Sequence, residues 1–495
     1  MVSGASLVQA ILSFSVAKPA NLSELFGPSL SPEAQIILPT DTDWSTQVQL
    51  RWTNYRAPKY LGAIKPATET DVQRIVKIAD ANKIPFLTTG GGHGISDYSP
   101  FKGIAIDLGN FKSVELDVST NHLTIGGATE YSQLHDLLYD AGKELTLASC
   151  PCVGVLGATM GAGFGPLKGH RGLLLDALES VRMVTADGRL VTASARQNPG
   201  LFWAVRGAGA NFGVVTSATF KVYDITNKGQ VMVADLVYPA TANHTFWRTL
   251  QSFEHAMPSR LALTAVAVYN RTIDLPLIVL HAVYFGPQED GEAYLEPFKD
   301  LGPLVSNIAM IPQNTMFPSD HGTCVPNQRI NLYTLALKQF DPPTFDSFYA
   351  RLTDFWREYP DYQGRLLIQR FSNDAVAAVP DAETAYPWRD AIAHMNIESF
   401  YTDPGNDDAI DDFVTSARAR FAETSGFDTL ATYVNFAHGD EGPTAWYSAR
   451  KLQKLSALKR QWDPKGLFSW HNPVPMRWDL DISEKEHLGN QKLPG

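Results

Sequence analysis

Along the chain the spacing of apolar residues switches between helical and strand periods. Val72, Ile75, Val76 and Ala79 recur at helical spacing behind Thr68 and Asp71, which resemble a capping box. Ile84 to Leu87 then reads as a strand, as do Ile104 to Leu108 and Leu123 to Gly127, and Tyr131 to Ala141 reads as a helix. Strand and helix alternate at short intervals, a layout in which the loops at strand ends hold the chemistry. The clearest hairpin joins Val181–Thr185 to Leu190–Ala193 through Ala186-Asp187-Gly188-Arg189, because Asp-Gly between β-branched runs is a strong turn signal.

At about residue 226 the texture changes. Val231 to Val237, Leu261 to Val268, Leu277 to Phe285, Leu332 to Phe340 and Leu366 to Arg370 read as strands, interspersed with helical patterns such as Phe345 to Trp356. Apolar alternation on one face predicts an antiparallel sheet with helices on one side. Towards the C-terminus, Thr432 to Phe436 reads as a strand and Trp446 to Arg460 as a helix with Leu452, Leu455 and Leu458. At the other end, residues 1–55 read as an arm with turns around Pro28, Pro32 and Pro39. Within it, Leu7 to Ala17 reads as an amphipathic helix, and as a poor signal peptide because Gln and Ser interrupt it and no Lys or Arg precedes it. That favours a cytoplasmic chain, with secretion as the alternative.

Length and charge narrow the class. At 495 residues the chain is long enough for about two to three domains, and 44% hydrophobic content fills sizeable cores. A formal charge of −11 with no basic stripe argues against a nucleic-acid or anionic-membrane surface. No run approaches the roughly 20 apolar residues of a membrane span. Three cysteines are too few for a disulfide framework, and Cys150-Pro151-Cys152 leaves only Cys324 over. Cys-x-Cys also falls short of a metal site, with no further ligand pair at the required spacing.

Two glycine-rich stretches carry the candidate chemistry. In Thr88-Thr89-Gly90-Gly91-Gly92-His93-Gly94 the glycines let the backbone come close to a ligand, and N–H groups in such a turn form a nest for a phosphate or pyrophosphate. The second opens at Cys150 and continues through Gly154, Gly157, Gly161, Gly163 and Gly165. A thiol thus stands at the mouth of a second run that can approach a ligand.

Together these stretches resemble the vanillyl-alcohol oxidase (PCMH-type FAD-binding) superfamily, most closely its berberine-bridge-enzyme-like branch. In that family a Gly-Gly-His motif attaches FAD through the flavin 8α-methyl, and a Cys-Pro-x-Val-Gly-Val motif attaches its C-6. Gly91-Gly92-His93 and Cys150-Pro151-Cys152-Val153-Gly154-Val155 fall on these patterns, and the register selects Cys150 rather than Cys152. A further family run ends in Gly-Asn-Phe-Gly-x-Val, matched by Asn211, Phe212, Gly213 and Val215, with Ala210 where Gly is commoner. Near the C-terminus Tyr433 and Asn435 match a Tyr-x-Asn motif, followed by Asp463-Pro464 and Phe468.

The resemblance implies an α+β fold: a two-part FAD-binding domain of PCMH type over 1–225 (its module about 55–225) and 426–495, and a substrate domain over 226–425 with an antiparallel sheet covered by helices. It implies FAD attached through His93 and Cys150, with contacts from Gly90, Gly91, Gly92, Gly94, Val153, Gly154, Gly157, Asn211, Gly213, Val214, Tyr433 and Asn435. Two departures stand out. Thr89-Gly90 occupies the place where the family has Arg or a similar polar residue, which leaves pyrophosphate charge to backbone N–H groups. Phe436 replaces the tyrosine that serves many members as base.

Other bases must therefore be sought. His394, Asn396 and Glu398 alternate and so share one face of a strand; that face is either catalytic or the solvated side of an edge strand. Tyr433 is a further candidate, as is His438, unless it lies in an exposed loop. Val153 stands where the family's small residue leaves room for dioxygen, which points to an oxidase. The implied activity is oxidation of an alcohol, carbohydrate or secondary metabolite by hydride transfer to flavin, with O2 reduced to hydrogen peroxide. The alternatives are a dehydrogenase using another acceptor and a flavoprotein with a non-redox, cyclase-like or structural role. The implied partners are a small-molecule substrate and O2, with no nucleic acid and no membrane, in a monomer or weak dimer.

Overall fold

A computed structural model of the protein describes residues 21–49, 51–316, 324–325 and 328–478. The helix expected over Leu7 to Ala17 lies outside them. The helix Glu69–Ala81 begins at the expected box: Thr68 accepts from the Asp71 N–H, and Asp71 accepts in return from the Thr68 N–H. Its apolar face, Val72, Ile75, Val76 and Ala79, is fully buried. It packs with Leu22 and Phe26 of the arm's first helix, Leu22–Phe26.

The arm also supplies β1 (Gln35–Ile37), antiparallel to β2 (Lys59–Lys65); β3 (Phe86–Thr89) and β4 (Lys102–Asp107) add parallel strands in the order β1-β2-β4-β3. Next come β5 (Val114–Asp117), β6 (His122–Gly126) and the short β7 (Lys143–Glu144). β8 (Leu178–Val184), β9 (Leu190–Ser194) and β10 (Val214–Lys221) complete an antiparallel sheet ordered β5-β6-β10-β8-β9, while β11 (Tyr223–Asp224) pairs with β7. The Asp187-Gly188 hairpin joins β8 to β9 as expected.

The third sheet is antiparallel throughout. It comprises β12 (Gln230–Pro239), β13 (Leu261–Asn270), β14 (Leu275–Tyr284), β15 (Val305–Pro312), β16 (Ile330–Leu337), β17 (Arg365–Phe371) and β18 (Ala393–Phe400), in the order β15-β12-β14-β13-β17-β18-β16. Leu263, Ala265, Leu280, Leu366, Ile368, Met395 and Ile397 point one way, into a core with Phe246 and Trp247, Leu295 and Phe298, Phe345 and Leu352, and Val414 and Phe421. Those partners lie on the helices Asn243–Gln251, Gln288–Lys299, Pro342–Glu358 and Asp407–Glu423. The fold is thus α+β, with helices on one face of this sheet. Because alternate strand residues point oppositely, the other face is left to Thr264, Val266, Arg365, Leu367, Gln369, His394, Asn396 and Glu398.

Four expectations are corrected. β18 lies between β17 and β16, so it is an interior strand and not an edge. Thr432 to Phe436 is a loop ending in a 3-10 turn, Val434–Phe436, because the Asn435 amide turns in to bond the Gly157 and Ala158 carbonyls instead of a neighbouring strand. The C-terminal helix is split into Pro443–Tyr447 and Ala449–Trp462 by Ser448 at φ 58°. Cys324 is not left over: it forms a disulfide with Cys152 and ties the connection after β15 to the Cys150 loop.

Asp71 is more than a cap. Its buried carboxylate also accepts from the Ser31 N–H at 2.8 Å and hydroxyl at 2.7 Å, which pins the arm to the helix. Burial pushes its pKa up, but these hydrogen bonds outweigh burial and hold it below the ordinary carboxylate value. A depressed folded value means that the stabilisation is present above the ordinary carboxylate range and fades as pH falls through the folded value. Asp71→Asn is expected to cost about 1–3 kcal/mol at neutral pH. Thermal unfolding of both forms checks this: the gap in Tm should be widest near pH 7 and narrow on acidification.

Candidate active site

β3 delivers the chain into Gly90 to Gly94, and there the first glycine stretch locks against the second. A Cβ on Gly91 would come within 2.3 Å of the Gly154 backbone nitrogen, and one on Gly90 within 2.9 Å of the Gly127 carbonyl oxygen. Gly92 turns the chain at φ 75°, a value that favours glycine. The interlocked loops line one cavity of about 440 Å³, closed on its other sides by Ala208, Gly209, Ala210 and Gly213 and by β17 and β18.

His93 and Cys150 both line this cavity. The His93 ring stacks on Trp52 with centroids 5.2 Å apart, and burial pushes its pKa down to about 4. The imidazole is therefore neutral and keeps a nitrogen lone pair. Cys150 Sγ lies 3.4 Å from Cys152 Sγ. Among the described residues the one cluster with metal-ligand spacing is Cys150, Cys152 and Cys324, and the disulfide takes two of its three sulfurs. Cys152 is bonded to Cys324 and does not line the cavity, whereas Cys150 does.

The cavity has cationic and aromatic walls that the sequence motifs did not single out. The Arg51 guanidinium donates to the carbonyls of Gly94, Ser96 and Tyr55, so a charged side chain braces the His93 loop after all. Tyr60, Trp470 and His471 complete this wall. Burial, helped by the Arg51 charge, lowers the His471 pKa to about 4, and its Nδ1 lies 2.8 Å from the Tyr98 hydroxyl.

Opposite stands the sheet face. In register, Arg365 of β17 lies beside Glu398 of β18, Leu367 beside Asn396, and Gln369 beside His394. Arg365 Nε donates to Glu398 Oε2 at 2.5 Å. Asn396 Oδ1 is buried with no hydrogen-bond partner among the described residues. Of the five candidate residues His394, Asn396, Glu398, Tyr433 and His438, Glu398, Asn396 and Tyr433 reach the cavity. The Tyr433 hydroxyl is already engaged by Asn435 Nδ2 at 2.8 Å and the Gly163 N–H at 3.3 Å, and burial holds it protonated far above neutral pH. His394 is displaced: the Phe164 ring, which lines the cavity, covers it with centroids 4.0 Å apart. Burial, with the Lys168 charge adding to it, keeps His394 neutral.

Asn211 and Val214 do not line the cavity. Asn211 is a clamp: its Nδ2 donates to the Tyr447 hydroxyl, its Oδ1 accepts from the Val474 N–H, and its carbonyl accepts from Lys459 Nζ. Val214 packs in the core beside Val184. His438 is not in an exposed loop; it is buried, stacked on Tyr333 with centroids 4.5 Å apart, and does not line the cavity. All the other expected contacts, Gly90 to Gly94, Val153, Gly154, Gly157, Gly213, Tyr433 and Asn435, line it.

Two glycine loops, a neutral imidazole and a thiol converge on one cavity of about 440 Å³ with aromatic walls, a setting suited to a flat ring system with a pyrophosphate tail. Comparison with known proteins agrees. Residues 60–194 match the FAD binding domain family, and residues 432–475 match the family described as berberine and berberine like. The FAD-linked oxidoreductase tazG of Aspergillus terreus is 52% identical over 97% of this chain and 100% of its own length. The FAD-linked oxidoreductase azaG of Aspergillus niger is 45% identical over 88% and 96%. Among solved structures, the Acremonium strictum glucooligosaccharide oxidase superposes with a TM-score of 0.82 at 20% identity, covering 92% of this chain and 99% of that one. The xylooligosaccharide oxidase of Myceliophthora thermophila superposes with 0.80 at 23%, with the same coverage.

Fold and site define a flavin-dependent oxidoreductase. The chain belongs to the berberine-bridge-enzyme-like family of FAD-linked oxidoreductases. Among its described residues no helix is long and apolar enough to cross a membrane.

Gly91→Ala tests the loop interlock. Its Cβ would strike backbone rather than a flexible side chain, so the purified variant is expected to lose most of its flavin and to melt several degrees lower; a normal flavin-to-protein absorbance ratio would contradict this.

Proposed function

We propose that this enzyme is an oxidase carrying FAD bonded to both His93 and Cys150. The reading rests on one observation: both nucleophiles line a single cavity while the disulfide withholds Cys152. In this reading residues 1–225 and 426–495 hold the flavin, and residues 226–425 supply the substrate face. The chemistry that flavin supplies when bound is acceptance of hydride from a substrate carbon and its delivery to O2 as hydrogen peroxide. Val153, a small side chain beside the cavity, leaves room for dioxygen.

The substrate is an alcohol, in a carbohydrate or a secondary metabolite. As its C–H departs as hydride, the O–H proton must pass to a base and the C–O bond becomes a carbonyl. We assign that base to Glu398. Arg365 holds Glu398 Oε2, which orients the carboxylate and leaves Oε1 to take the proton. The buried amide of Asn396 donates to the substrate oxygen, and Phe436, which has no exchangeable proton, is an apolar wall.

Glu398→Gln is expected to slow substrate reduction of the flavin about 10²–10⁴-fold, with substrate Kd changed only a few-fold. Anaerobic stopped-flow checks this; an unchanged rate would remove Glu398 from the role. Cys152→Ala is expected to leave both flavin bonds intact, read as unchanged flavin-peptide masses.

A further inference from the structure

The outward face of the seven-stranded sheet does not stop at the cavity. Cross-strand register carries the Asn396–Leu367 row outward through Val266 of β13, Val279 of β14 and Val237 of β12 to Val305 of β15. Asn396 and Leu367 line the cavity, and the next three valines are half-buried, while Val305 at the sheet edge is 41% exposed. Further along the same face, Leu167 packs on Val231, Ala262, Val283 and Phe371. A sheet face turned to water is ordinarily polar. This one carries an unbroken aliphatic row among its polar residues, continuous with the cavity lining at Leu367.

The flanking row makes the strip narrow. Asp235 and His281 stand side by side in it and bond each other, His281 Nδ1 lying 2.8 Å from Asp235 Oδ1. The valine row itself offers no side-chain donor or acceptor; the polar groups Asp235, His281, Thr264 and Gln369 stand in the row beside it. From Leu367 to Val237 are three strand spacings, about 14 Å.

We propose that this strip is the tail subsite of the active site, and that the substrate is an amphiphile: an oxidisable hydroxyl seated at Glu398 and Asn396, with a linear apolar tail along Val266, Val279 and Val237. The inference rests on the assignment of the cavity to the oxidase reaction, and its test needs no turnover. The flavin-containing protein is titrated calorimetrically with neutral, non-oxidisable 4-n-alkylbenzamides from methyl to hexyl. Kd should fall about two- to fourfold per added methylene. Val266→Asp should abolish the chain-length dependence and leave the Kd of the methyl compound within twofold. Val237→Asp, further out, should shorten the length at which affinity stops rising. Val118→Asp, on an exposed residue elsewhere, should change nothing.

A Kd independent of chain length, a dependence that survives Val266→Asp, or no binding by any member overturns the tail subsite. Failure of every alcohol to reduce the flavin, with the chain-length dependence intact, would instead overturn the oxidase reading.

Discussion

The contact of Gly91 with Gly154 is the constraint on which the site depends. Two loops, one leaving a parallel strand and one opening a helix, approach so closely that neither has room for a Cβ. That approach brings His93 and Cys150 to one cavity although they stand 57 positions apart along the chain. It also explains why the motif glycines differ in kind. Gly90, Gly91 and Gly154 are demanded by backbone crowding, Gly92 by its positive φ, and Gly157 by neither, since nothing lies within 4 Å of its missing Cβ.

Around this lock the molecule divides its labour. The glycine loops and Arg51 present backbone, imidazole and thiol, while the helix-backed sheet presents rows of side chains in a fixed register. Register is decisive here, because a slip of one residue would turn Glu398, Asn396 and Leu367 into the helical core. The same alternation that fills the core with Ile368, Met395 and Ile397 therefore aims the chemistry at the cavity. The Cys152–Cys324 disulfide joins the two halves at the cavity's edge.

Much of this was legible in the sequence, and the exceptions are instructive. The β18 alternation, the Asp187-Gly188 hairpin and the Thr68–Asp71 box are local patterns, and each formed as read. Three of the motif glycines, Gly90, Gly91 and Gly154, also stand where backbone crowding leaves no room for a Cβ. What escaped depends on long-range packing. Cys152 pairs with a cysteine 172 residues away, which no spacing reveals. His394 shares a face with Glu398 but falls behind Phe164, a residue of another part of the chain. Asn211 matches a flavin motif yet serves as an internal clamp, because its neighbours Tyr447 and Val474 arrive from the far C-terminus. Trp52 and Arg51 belong to the arm, and only the folded chain sets them against His93 and Gly94.

The most direct test of the central claim is to precipitate the purified yellow protein with acid, digest the pellet and weigh the flavin-bearing peptides. The account predicts that the colour stays in the pellet and that one FAD bridges a peptide containing His93 to one containing Cys150. Colour released into the supernatant, or a flavin bonded to Cys152, would contradict it.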